Sequence, residues 1–431
     1  MEITVSKSHI HGEIHIPGSK SHTIRAVAIA LMANGTSIIK NPLVAGDTLS
    51  CLQAAEKLGA EVSESNNKGV LKWIIRGTGG NLTNENDEII NMENSGTSLR
   101  VMMGMAATCN LKTRFDGDDS LRGRPMGPLL TALETLGVEV HSRDGGKCPL
   151  AVRGPILGGE TTVDGKSSQY ITSLLLATPL AEQNTEINVV NLNEAPYLDM
   201  TLDWLNFLKI RYNYKSDYSQ FIVRGNQHYD AFEKTIPADF STATFPLAAA
   251  AVTGDKLKIY GLDFTDKQGD KKVFNHLELM GMRVEIHEDH TLIYRKNDLY
   301  GDLEIDLNDT PDALPAMAVV ACHAKGKTIL SNVPHARIKE TDRITAMAKE
   351  LKKMGANVEE LKDGLIIHES KLTGATVDGY NDHRMIMALS IAGMGATGET
   401  IIQNAGAVSV TYPSFIQDFK KLGAQISIEH G

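Results

Sequence analysis

Six short polar clusters in this 431-residue chain gather side chains able to bind anions or move protons, and each stands just ahead of an apolar run. The first is Gly18-Ser19-Lys20-Ser21, with Arg25 one turn into the apolar stretch 26–33. A glycine-serine turn opening a helix places backbone N–H groups, a hydroxyl and an ammonium together, a natural anion cradle. It is not a nucleotide P-loop, because the first glycine and four-residue spacer of that motif are missing. The same turn would also serve as an ordinary N-cap. Asn94-Ser95-Gly96-Thr97-Ser98-Leu99-Arg100 enters the stretch 101–107 in the same manner, and Gly96 lets an anionic group approach the backbone closely. A capping motif is again the alternative reading.

Leu121-Arg122-Gly123-Arg124-Pro125-Met126 carries two guanidinium groups before a helix expected to start near Pro125, a favoured first-turn residue. Exposed arginine pairs are usually solvated, but the planar fork of Arg124 would hold a carboxylate or phosphate at two points. Asp164-Gly165-Lys166-Ser167-Ser168-Gln169-Tyr170 repeats the theme of hydroxyls and an amide at a helix start. The remaining two clusters are the sharpest: His335, Arg337, Lys339, Glu340, Asp342 and Arg343 precede the apolar stretch 344–351, and Asn381-Asp382-His383-Arg384-Met385 precedes another. A charge run is commonly a solvated face, yet several cationic turns at helix starts suit one small, highly anionic ligand.

These clusters are positioned by a repeat. Leu58-Gly59-Ala60-Glu61-Val62 returns as Leu136-Gly137-Val138-Glu139-Val140, Leu208-Lys209-Ile210-Arg211-Tyr212, Met280-Gly281-Met282-Arg283-Val284, Met354-Gly355-Ala356-Asn357-Val358 and Leu422-Gly423-Ala424-Gln425-Ile426. Successive second positions are 78, 72, 72, 74 and 68 residues apart, so six copies at near-equal spacing fill the chain. Each phrase reads as a helix end, a left-handed cap and a following strand. A second phrase, such as Thr36-Ser37-Ile38-Ile39-Lys40-Asn41 or Lys327-Thr328-Ile329-Leu330-Ser331-Asn332, predicts a short alternating strand closed by a turn former. A unit of this size is too small to be comfortable alone, so three units per lobe and two lobes are expected. The polar stretches 63–68 and 81–87 are expected as surface loops.

Composition bounds the rest. Lys and Arg total 43 against 53 Asp and Glu, a formal charge of −10 that disfavours a general nucleic-acid binder and requires any bound anion to meet a local basic cluster. Cys51, Cys109, Cys148 and Cys322 are far apart and lack metal spacing, so neither a disulfide framework nor a zinc site is expected, and a reducing cytoplasm is. No apolar run approaches the roughly 20 residues that span a bilayer, and the N-terminus has no apolar signal core.

Taken together, Gly18-Ser19-Lys20-Ser21, Asn94 to Arg100, Arg122-Gly123-Arg124-Pro125, Ser167-Ser168-Gln169, Pro311-Asp312-Ala313, Lys339-Glu340-Thr341-Asp342-Arg343 and Asn381-Asp382-His383-Arg384 resemble the motif set of the 5-enolpyruvylshikimate-3-phosphate synthase family, in order and over nearly the whole chain. The resemblance implies an α/β fold of six βαβαββ-like units, three per lobe, with an active site in the interlobe cleft. One lobe would comprise residues 1–18 plus 238–431 and the other 19–237. It implies transfer of the enolpyruvyl group of phosphoenolpyruvate to the 5-hydroxyl of shikimate 3-phosphate with release of phosphate, in chorismate and aromatic amino acid biosynthesis. A cytoplasmic monomer is expected, with no metal or other cofactor and no nucleic-acid or membrane partner.

By motif, Lys20, Ser21, Arg25, Ser167, Ser168, Gln169, Tyr197, Asp312 and Lys339 would hold shikimate 3-phosphate. Lys20, Gly96, Arg124, Gln169, Arg343 and Arg384 would hold phosphoenolpyruvate, with Arg100 and His383 in support. Asp312 would take the hydroxyl proton, Glu340 would protonate the methylene carbon, and Lys20 would stabilise developing charge or relay a proton. Three positions depart from the family pattern: Val410 stands where many members carry a lysine, His335 replaces an asparagine, and Glu194 replaces a serine that often touches the shikimate phosphate; Ser98 stands where glyphosate-sensitive members often have alanine. The related UDP-N-acetylglucosamine enolpyruvyl transferases usually carry a reactive cysteine in the loop matching 118–123, which here has none. A non-catalytic scaffold is the other alternative, and it would have lost Asp312, Glu340, Lys20 and His383.

Overall fold

The computed structural model describes residues 1–67, 69–84, 87–143, 145–254 and 256–429. The chain divides into two compact units, Met1–Pro17 with Ala238–Gly431, and Gly18–Pro237. Each unit has its own hydrophobic core.

Three of the helices in each unit are buried on nearly every side. In the Gly18–Pro237 unit they are α1 (Lys20–Met32), α3 (Gly96–Ala106) and α6 (Ser168–Ala177), while α2 (Gly46–Lys57), α5 (Gly127–Thr135) and α7 (Ala195–Phe207) bury one face. The short α4 (Asp119–Gly123) lies between α3 and α5 in sequence. In the other unit α8 (Phe240–Thr253), α10 (Leu314–Cys322) and α12 (His383–Gly395) are the buried three, and α9 (Lys272–Leu279), α11 (Arg343–Lys353) and α13 (Phe415–Lys421) are the one-faced three. The sequence explains the split. Leu314–Cys322 reads LPAMAVVAC with no polar face to expose, whereas α11 alternates buried Ile344, Met347 and Leu351 with exposed Thr345, Lys349 and Lys352.

The six four-stranded sheets share one pairing pattern, a parallel edge pair followed by two antiparallel pairs. In the sheet built on Thr36–Lys40, that strand runs parallel to Glu233–Thr235 (Ile38 opposite Glu233) and antiparallel to Val70–Arg76 (Ile38 opposite Ile74). The outer strand Glu61–Asn67 is antiparallel to Val70–Arg76 in turn. The expected loop over 63–68 is therefore strand as far as Asn67, and Lys68 lies outside the described residues. Its polarity belongs to an edge strand with a solvated face and not to a loop. Residues 81–84 and 87 have no regular structure, and Glu85 and Asn86 lie outside the described residues.

Three sheets are completed by strands remote in sequence. Gly12–His15 pairs with Leu257–Tyr260, although the chain between them passes through the whole other unit, and Glu233–Thr235 closes the sheet of Thr36–Lys40. The N-terminal strand Glu2–Ser6 lies between Glu399–Gln403 and Gln425–Glu429. The helix-end phrase also holds physically at all six sites. Gly59, Gly137, Gly281, Gly355 and Gly423 have φ between +87° and +105°, and Lys209 adopts the same left-handed region at φ 58°.

Candidate functional site

Four of the buried helices, α1, α3, α6 and α12, begin at polar clusters singled out in the sequence. Ser19 caps α1 by accepting from His22 N, so Lys20 and Ser21 form the first turn, and Lys20 Nζ lies 3.1 Å from Asp47 Oδ2 in the first turn of α2. Asp47 is bound from α3 as well, its carbonyl accepting from Ser98 Oγ at 2.7 Å. Ser98 is fully buried and also accepts from Ser95 Oγ. Its hydroxyl thus turns inward toward α2, so serine in place of alanine adds no free hydroxyl to the anion-binding surface.

Gly96, the first residue of α3, lies beneath two arginines. A Cβ at this position would fall 2.9 Å from Arg100 Nη1 and 3.0 Å from Arg124 Nη1. Arg124 is held by Asn94 Oδ1 at 2.8 Å and Ser120 Oγ at 3.2 Å, while Arg100 donates to Gln169 Oε1 and lies over the Tyr170 ring. The carbonyl end of Gln169 is thus engaged by Arg100, and its amide NH₂ keeps two donors. Gly96, Arg100, Arg124 and Gln169 are therefore gathered at the N-terminal ends of two helices, where positive potential is already concentrated. Arg122 is spent elsewhere, on both oxygens of Asp116 at 3.0 and 2.7 Å, and this pairing holds the Asp116 carboxyl below its usual range. Both arginines precede the expected helix: Arg122 belongs to α4, Arg124 caps it, and α5 begins at Gly127 with Pro128, not Pro125, in its first turn.

Arg25 is 2 % exposed and donates to Thr201 Oγ1 at 3.0 Å, Thr172 Oγ1 at 3.2 Å and the carbonyls of Tyr197 and Ser21 at 2.9 and 3.0 Å. All these acceptors are uncharged groups, and burial lowers its pKa to about 10. A buried cation held by neutral acceptors is an electrostatic invitation to an anionic ligand. Arg25 thereby ties α1 to α6 and to the first turn of α7, which carries Tyr197. Ser167 is the N-cap residue of α6, and Ser168 N–H and Oγ both donate to Glu194 Oε2, at 3.2 and 2.8 Å.

In the other unit, Arg343 is a hub. It is wholly buried and donates to Asp382 at 2.8 and 3.2 Å, to Asp312 Oδ1 at 2.7 Å and to Glu340 Oε2 at 2.5 Å. Burial alone would lower its pKa, but the carboxylates of Asp382, Glu340 and Asp312 outweigh that and raise it. The second oxygen of Asp312 takes Arg384 Nη2 at 2.9 Å. Asp382 also caps α12, accepting from Arg384 N at 2.9 Å, so one carboxylate fixes both the hub and the helix that carries His383 and Arg384. The rest of the charge run is structural: Asp342 caps α11 and pairs with Arg337, which reaches Glu360 as well. Lys339 ends the short 3-10 turn that contains buried His335, and Val410 ends another.

Asp47, Thr172, Thr201 and the bridging role of Asp382 escape sequence reasoning. Of these, only Asp382 carries a local signal, as part of the Asn381-to-Arg384 motif. Burial pushes the thiols of Cys51, Cys148 and Cys322 up to about 12, which suits packing and not nucleophilic chemistry. Among the described residues no group of three or more His, Cys, Asp or Glu side chains could hold a metal ion, and no helix is long and apolar enough to cross a membrane.

Two units, each of three sheets and three buried helices, with cations and hydroxyls at several helix starts, define an α/β repeat protein equipped with anion-binding groups. The family model for EPSP synthase (3-phosphoshikimate 1-carboxyvinyltransferase) matches residues 5–419. A protein of Acetivibrio thermocellus named 3-phosphoshikimate 1-carboxyvinyltransferase is 47 % identical over 428 residues, covering 99 % of both chains. One of the same name from Ruminiclostridium cellulolyticum is 46 % identical over 99 % of this chain and 100 % of its own. The solved EPSP synthase of Acinetobacter baumannii superposes with a TM-score of 0.81 at 25 % identity, covering 99 % of this chain and 100 % of that one. The chain belongs to the EPSP synthase family.

Proposed function

We propose that this protein transfers the enolpyruvyl group of phosphoenolpyruvate to the 5-hydroxyl of shikimate 3-phosphate, working as a cytoplasmic monomer. The observation that carries the reading is a division of labour between the two units. The Gly18–Pro237 unit supplies anion-binding groups around Gly96 and Arg25, and the other unit supplies carboxylates assembled on Arg343. The two substrates are multiply anionic and the chemistry moves protons, so both sets are needed.

Within this reading, the hydroxyls and amide at the start of α6 suit the phosphate of the acceptor, and Arg25, Ser21, Lys20 and Tyr197 suit its remaining groups. Gln169, Asp312 and Lys339 complete that set. Phosphoenolpyruvate takes Gly96 and Arg124, joined by Lys20, Gln169, Arg343 and Arg384, with Arg100 holding Gln169 in place and His383 in support.

The 5-hydroxyl oxygen attacks C2 of phosphoenolpyruvate while its proton passes to Asp312, which two guanidinium groups keep in the carboxylate form a base needs. The methylene carbon takes a proton from Glu340 and becomes a methyl group. In the free protein Glu340 is paired with Arg343. A bound anion on Arg343 weakens that pair and adds negative charge nearby, and each effect favours proton uptake by Glu340. The resulting tetrahedral ketal phosphate collapses by expelling phosphate as the methyl group returns one proton to Glu340, and the proton taken by Asp312 leaves with the phosphate. Lys20 balances the charge that develops on the leaving oxygen.

The test is phosphate release from the purified protein given both substrates. Release is expected to require both, and to stop when either is withheld. No release with both present would favour the non-catalytic scaffold.

A further inference from the structure

Glu194 has no counterpart in the division of labour just described, yet it occupies part of the machinery. It stands at the N-cap position of α7 without making a side-chain cap there, and the start of α7 is served by its backbone carbonyl, which accepts from Tyr197 N at 3.1 Å. Its carboxylate reaches back to α6 and takes both donors of Ser168, the N–H at 3.2 Å and the hydroxyl at 2.8 Å. The residue is 1 % exposed, and its backbone is left-handed, φ 58° and ψ 41°, a conformation disfavoured for a residue with a Cβ. Such a conformation persists only where the surroundings over-determine it, here a carboxylate drawn to the first turn of a ten-residue helix.

We propose that Glu194 is an internal competitor for the acceptor's phosphate. In the free protein it fills the two Ser168 donors that the phosphate of shikimate 3-phosphate takes on binding, so the substrate must displace it. The inference rests on the assignment of α6 to that phosphate. A phosphate brings close to two negative charges and three acceptor oxygens against the single charge of a carboxylate, so it wins the exchange. A monoanionic or unphosphorylated acceptor does not. Glu194 therefore lowers affinity for the true acceptor and steepens the preference for it.

The experiment compares full-length wild type, Glu194→Gln and Glu194→Ser by calorimetric titration with shikimate 3-phosphate and, separately, with inorganic phosphate. Both variants should bind each ligand at least fivefold more tightly, and the KM for shikimate 3-phosphate should fall in parallel while that for phosphoenolpyruvate moves less than twofold. Unchanged or weaker binding in a variant with a native circular dichroism spectrum overturns the proposal. If a serine at this position fails to fold, Glu194→Asp, whose carboxylate is one methylene short of Ser168, must show the same tightening. The phosphate arm needs no turnover, so a protein that releases no product would refute the proposed reaction while leaving the competition measurable.

Discussion

Asp312 accepts from two different guanidinium groups, Arg343 through one oxygen at 2.7 Å and Arg384 through the other at 2.9 Å. A carboxylate held from both sides is fixed in orientation as well as in charge, and its side chain is only 15 % exposed.

Replacing Asp312 with Asn keeps the shape and removes the base. The amide NH₂ would then face one of the two guanidinium groups, donor against donor. Turnover is expected to fall by about 10²- to 10⁴-fold, the range a positioned acid or base contributes. Affinity for shikimate 3-phosphate should change far less. Phosphate release and substrate titration measure the two quantities separately, and near-normal turnover would remove Asp312 from the role of base.

Gly96→Ala tests the arginine pair above α3. The added Cβ meets Arg100 Nη1 at 2.9 Å and Arg124 Nη1 at 3.0 Å, and both are ends of long side chains able to move aside. The helix itself should tolerate alanine. The expected result is a several-fold rise in KM for phosphoenolpyruvate with a smaller change for shikimate 3-phosphate, read from steady-state kinetics in both substrates. Equal effects on the two would mean that Gly96 does not belong to one substrate's site.

Acid stability should depend on His323, which has no part in the proposed chemistry. Burial, aided by Arg295, lowers its pKa to about 4 from an ordinary 6.5. Between those values the unfolded chain binds a proton that the folded chain does not, so stability is intact above pH 6.5 and is lost as pH falls toward 4. The loss attributable to this residue reaches about 3 kcal/mol at most. Urea unfolding at pH 7 and pH 4.5 should show a larger drop for wild type than for His323→Gln. Equal drops would contradict a neutral buried imidazole.

What could be read from the sequence divides along the range of the interactions. The repeat was legible because each helix end and each strand start is a local pattern of apolar spacing, a cap residue and a turn former. The clusters were legible for the same reason, since a helix start displays its first-turn residues together. The partners of those clusters were not. Arg25 finds Thr172 and Thr201 at separations of 147 and 176 residues, and Arg343 finds Asp382 at 39, so no local pattern encodes them. The strand over 63–67 was hidden because an edge strand with a wet face has a loop's composition. Glu194 was visible only as an oddity, and its bond to Ser168 depends on how α6 and α7 pack.

Lys209 offers a test of the repeat itself. It occupies the second position of its helix-end phrase, where the other five units have glycine, and its φ of 58° places it in the same left-handed region as theirs. A lysine there crowds its Cβ against the neighbouring carbonyl, a penalty of about 1 kcal/mol that glycine escapes. Its backbone N–H still bonds to Asn206 O at 3.0 Å, so the cap geometry is kept despite the side chain. Part of the gain from glycine is returned through its greater freedom in the unfolded chain. Lys209→Gly should therefore stabilise the protein by roughly 0.5–1 kcal/mol, seen as a higher urea midpoint. The control is Gly137→Lys, at φ 91° in the equivalent position, which should destabilise it. A neutral or destabilising Lys209→Gly would mean that the lysine side chain repays its backbone strain through contacts of its own, and that this unit has diverged from the other five in more than one residue.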